Sequence, residues 1–174
     1  MSDLLTILEN VADLVPLLWP LFSVICFIIG GVLILRGLRH MAAKQYVRDT
    51  QNSYTGMVGY IVSGACMIGM PGFLEMLQLT LFGAGVDNDP SAIFAYAPES
   101  VGLFESDGAE QMIIAITVII QFVGAIGVAR GILLLNQSAN GGQQTFGPGL
   151  TFVIAGAMAT NFPVFVGLME SLIV

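Results

Sequence analysis

The sequence predicts an all-α integral membrane protein, with four transmembrane helices arranged as two tandem, parallel helical hairpins. Three observations predict it. Mean hydropathy is +0.87, and 56% of the 174 residues are hydrophobic while only 10% are charged, against about 25% charged in soluble domains. Four apolar stretches reach the roughly 20 residues that a spanning helix needs. Laid across a membrane, those four stretches put every Lys and Arg on one side.

The elements follow in order. Leu4, Leu5, Leu8, Val11, Ala12 and Val15 recur at helical spacing, with Asp3, Glu9 and Asp13 on the other face. Such a segment either lies in the interface plane or simply extends the first span, and the sequence leaves both open. The first span covers 14–35, with Pro16 and Pro20 in its first turns, where a missing N–H costs least. The second covers 56–82 and is broken by Pro71-Gly72. The third covers 112–135 and the fourth 150–174, where Pro163 predicts another break. The chain thus divides into 1–83, an acidic outward loop at 84–110, and 111–174. That loop carries Ile93-Phe94-Ala95-Tyr96, an apolar patch suited to docking on a partner or on the membrane. No basic residue precedes the first apolar run, so a cleaved signal is not expected.

Arg36, Arg39, Lys44 and Arg48 fall between spans one and two, and Arg130 near the connection of spans three and four. Loops rich in Lys and Arg stay in the cytoplasm. Both termini and the 84–110 loop are therefore expected outside, in the periplasm of a bacterial cell. Of the acids, only Asp49 lies on the basic side.

The chain also repeats itself. Gly30 and Arg36-Gly37 match Gly124 and Arg130-Gly131, 94 residues later. Tyr60-Ile-Val-Ser-Gly-Ala65 matches Phe152-Val-Ile-Ala-Gly-Ala157, 92 residues later, and Pro71 and Phe73 meet Pro163 and Phe165 in the same register. Each unit crosses the membrane twice, so the copies are parallel, related by an axis along the membrane normal.

Candidate residues fall into three groups. Gly59 and Ser63, Gly127 and Gly131, and Ala155 and Ala159 are small pairs four apart, which lets helix backbones approach closely in lipid. The five basic residues suit lipid phosphate, with bound phospholipid as the implied ligand, or the lining of a basic lumen. Direct contact with nucleic acid is open, though topology and anionic lipid explain the charges more simply. Glu75 is the one acid inside an apolar run, and counting from Gly56 places it at the outer interface. Cys26 and Cys66 read as packing residues and His40 as solvated. With one His and two Cys at no metal-binding spacing, and no phosphate loop or triad, the sequence predicts neither an enzyme nor a metal or organic cofactor.

Four blocks stand out: Leu4-Leu-Thr-Ile-Leu-Glu-Asn10, Leu35-Arg-Gly-Leu38, Ala92-Ile-Phe-Ala-Tyr96, and an end block of Phe122, Gly124, Arg130-Gly131, Gly141-Gly142, Thr145-Phe-Gly147, Gly156 and Asn161. In these the chain resembles the IcmC/DotE family of type IVB secretion systems and the related TraQ proteins of I-type conjugation. Where a basic residue with a Gly pair is expected before Gly156, this chain reads Thr151-Phe-Val-Ile-Ala155. The resemblance implies an inner-membrane subunit of a secretion or conjugative DNA-transfer apparatus, a homo-oligomer that also meets other subunits of the machine. Two alternatives stand beside it: a conjugative pilus subunit made of two pilin-like hairpins with bound lipid, and a small transporter or channel.

Overall fold

A computed structural model describes residues 2–44, 53–83 and 107–166. Arg48 and the patch at 93–96 lie outside the described residues. All described secondary structure is helical: α1 (Ser2–Lys44), α2 (Ser53–Ile68), α3 (Met70–Phe82), α4 (Asp107–Ala139), a 3-10 turn (Gln143–Thr145) and α5 (Phe146–Thr160).

The amphipathic start, the first span and the first basic residues form one helix of 43 residues. Pro16 and Pro20 lie in its interior rather than in its first turn. Each removes one i→i−4 bond, yet the helix is continuous from Ser2 to Lys44. Arg36, Arg39 and Lys44 accordingly ride on α1, not in a loop.

The predicted second span is two helices bent by 94°. The break falls at Gly69, two residues ahead of Pro71-Gly72. Gly69 (φ −90°, ψ 30°) donates its N–H to the Ala65 carbonyl at 3.0 Å. Pro71 sits in the first turn of α3, where no donor is needed. The fourth span breaks in the same way at Asn161 (φ −118°, ψ 45°), two residues ahead of Pro163. The Phe73 N–H then donates to Gly69 at 2.8 Å and the Phe165 N–H to Asn161 at 3.1 Å. So the bond that follows each break matches at an offset of 92 residues, whereas the break residues differ: Gly69 donates four residues back and Asn161 three residues back, to Met158 at 3.2 Å.

Two helices are long and apolar enough to cross a membrane, Asp13–Ala42 and Ile113–Ala139, and the bent pair makes a third if it counts as one span. At 15 residues α5 is about 22 Å long, short of the roughly 30 Å hydrocarbon core.

α1 packs antiparallel on α2, and α4 on α5, and the two pairs match contact for contact. A Cβ on Gly30 would lie 2.7 Å from the Gly64 carbonyl oxygen, and one on Gly124 would lie 2.7 Å from that of Gly156. Gly37 abuts Met57 and Ile61 as Gly131 abuts Gly149 and Val153. Between the pairs, Trp19 and Phe22 of α1 close edge-on with Phe122 of α4, with centroids 5.7–6.1 Å apart. The core below them holds Cys26, Leu33, Met67, Met70, Leu74, Ala125, Val128 and Ala157.

The second pair is displaced along the bundle. Gly37 meets Tyr60 and Met57, and Gly59 between them meets Ala139. Residue 37 is therefore level with about residue 138, and Phe122 with 19–22 at the other end. The spatial offset is about 101 residues where the sequence repeat is 94, a step of about seven residues, or about 10 Å at 1.5 Å per residue. The two helix pairs are thus offset along the bundle by about 10 Å.

Candidate functional site

The small-residue motifs find their partners inside this chain. Gly59 faces Ala139 and Asn136 of α4, Ser63 is buried, and Gly127 and Gly131 face α5. Ala159 lies against Gly124, and Ala155 is exposed. Apart from Ala155, these residues pack within the chain, between paired helices and along the seam between the two pairs.

Near that seam Asn140 donates its Nδ2–H to the Asn136 carbonyl at 2.7 Å, and Gly56 is buried against the Asn140 side chain. Sequence reasoning missed this polar seam. Its signal was the Asn136–Asn140 spacing just after the apolar run of α4.

Arg36 and Arg39 are exposed near the end of α1, where His40 stacks edge-on with Tyr60 at 6.4 Å. The side chains of Lys44 and Arg48 lie outside the described residues. Arg130 does not end its apolar run. It sits nine residues before the end of α4, followed by Gly131-Ile-Leu-Leu-Leu135. The axial step makes it level with about residue 29 of α1, roughly 10 Å deeper than Arg36. Its guanidinium lies 5.2 Å from the centre of the Phe152 ring, the position that Tyr60 holds in the first pair.

Glu75 is also deeper than expected. Ile68 packs on Gly30, so the break at Gly69 is level with about residue 27, the middle of the Asp13–Ala42 span. α3 leaves at 94° and stays near that level. Its buried stripe is Met70, Leu74 and Gln78, and Glu75 points away from it, exposed.

Further polar groups are buried in the bundle. Thr117 donates to the Ile113 carbonyl at 2.8 Å and Thr160 to the Gly156 carbonyl at 2.5 Å. Asn161 is wholly buried, with neither side-chain atom partnered among the described residues. Cys26 and Cys66 are free thiols. Among the described residues no three His, Cys, Asp or Glu side chains cluster as a metal site. Compared with protein families, curated proteins and solved structures, the chain matches none.

Proposed function

We propose that this chain is a self-associating subunit of a type IVB secretion or I-type conjugative transfer apparatus in a bacterial inner membrane. In this reading its two antiparallel pairs are tandem parallel hairpins that cross the bilayer four times, α2 and α5 each beginning a return crossing that the chain beyond the bend at Gly69 and the break at Asn161 completes. The basic ends of the hairpins face the cytoplasm and both termini the periplasm. The observation that carries the reading is the unspent surface of α1. Leu17, Leu21, Val24, Phe27, Ile28 and Leu35 are all exposed, two of them above 60%, and apolar surface on this scale belongs against lipid or another subunit. The assignment to a transfer machine rests on the resemblance of short sequence blocks to the IcmC/DotE and TraQ proteins.

A second reading, a pilus subunit with phospholipid between copies, is favoured by the axial step between the hairpins, since filament subunits are also related by a shift along an axis. A small transporter or channel is the third reading, with Glu75, exposed on α3, as its candidate residue. Fractionation of donor cells, with antibody detection in inner membrane and in sheared surface filaments, tests the proposal. Signal confined to the inner membrane together with lost transfer in a deletion strain supports the machine subunit. Abundant signal in filaments replaces it with the pilin, and normal transfer without the chain removes both.

A further inference from the structure

Two opposite charges lie at nearly one depth in the bundle and face away from its core. Among the residues whose side chains are described, Asp13 lies at one end of the α1 span and Arg36 and Arg39 toward the other. Only Glu75 and Arg130 are at mid-span, level with about residues 27 and 29 of α1, a difference of about 3 Å at 1.5 Å per residue. Both are exposed, and among the described residues neither makes an ion pair. Arg130 lies over the Phe152 ring. A charge held at this depth against lipid is costly, and such groups pair with one another or face water. The α3 helix cannot carry Glu75 to the interface, because it runs across the bundle rather than along it.

We infer that Glu75 of one copy pairs with Arg130 of a neighbouring copy, so that a second molecule of this chain covers both charges. The occupant is argued from charge complementarity at matched depth. A lipid phosphate would satisfy Arg130 but repel Glu75, whereas a second copy satisfies both at once. Arg130 also presents two donors to one carboxylate, the geometry that makes such pairs strong. The inference rests on the self-association proposed above and names the contact that drives it.

The test uses the full-length chain in lipid vesicles, with energy transfer between labelled copies as the readout of association. Glu75→Lys and Arg130→Glu each place like charges opposite one another, and each alone is expected to weaken association at least about tenfold. Mixed together, the two variants restore opposite charges at the interface and are expected to associate with each other within about twofold of wild type. A misfolded variant cannot show that rescue. Wild-type-like association of either single variant overturns the ion pair and leaves self-association standing. Loss in both without rescue on mixing also overturns it. A wild-type chain that is monomeric in vesicles overturns both the pair and the self-association it serves.

Discussion

The Gly124 Cα faces the Gly156 carbonyl so closely that a methyl group has no room: a Cβ would come within 2.7 Å of that oxygen and of the Thr160 nitrogen. These neighbours are backbone and cannot rotate aside. Gly124→Ala is therefore expected to destabilise the protein by about 1–3 kcal/mol, and Gly30→Ala by a similar amount. Gly31→Ala is the control, with nothing within 4 Å. Thermal unfolding in detergent reads all three, and equal midpoints would remove the close approach.

The edge-on triangle of Trp19, Phe22 and Phe122 joins the two hairpins. Phe122→Leu keeps most of the volume but removes two ring pairs, each worth about 0.5–1.5 kcal/mol beyond burial. The expected loss is about 1–3 kcal/mol, read by the same unfolding midpoint. Phe146→Leu, at an exposed ring, is expected to move it little.

Arg130 rests over Phe152. Phe152→Leu is expected to cost about 0.5–2 kcal/mol and Phe152→Tyr close to none, because the tyrosine ring keeps the negative face. A leucine variant as stable as wild type would show that the ring is only a lipid-facing surface.

Asn161 has been desolvated without a described partner. An unpaired buried amide costs about 1–3 kcal/mol, so Asn161→Leu is expected to leave stability unchanged or raise it. A fall of more than about 2 kcal/mol would mean that the amide holds a partner beyond the described residues.

The bends at Gly69 and Asn161 place Pro71 and Pro163 in the next turn. Pro71→Ala returns a donor to the chain and is expected to open the 94° angle. Spin labels at Val58 and Leu79 would then move apart, and an unchanged distance would assign the bend to packing of α3 on α1 and α5 instead.

Much of this was legible in the sequence. Hydropathy marks the helices, and the Arg-Gly and Gly-Ala offsets mark pairs that do match contact for contact. The small-residue spacings named the faces that pack, though not that their partners lie in the same chain. Three features were not legible. Pro16 and Pro20 read as helix starts, because a proline costs least in a first turn, yet α1 runs through both. The bends fall ahead of the prolines because a proline constrains the turn that precedes it. The depths of Arg130 and Glu75 follow from the axial step and the right-angle bend. A one-dimensional count of residues sees neither, although the five apolar residues after Arg130 were a visible sign.

The axial step has a consequence for how far such a chain can grow. A rotation alone could repeat a hairpin around a ring and return to its start. A rotation that also climbs about 10 Å never returns, and three climbs use up the roughly 30 Å thickness of a bilayer's apolar layer. Two helix pairs can stand side by side under that operation. A long series of them can exist only as a staircase that leaves it.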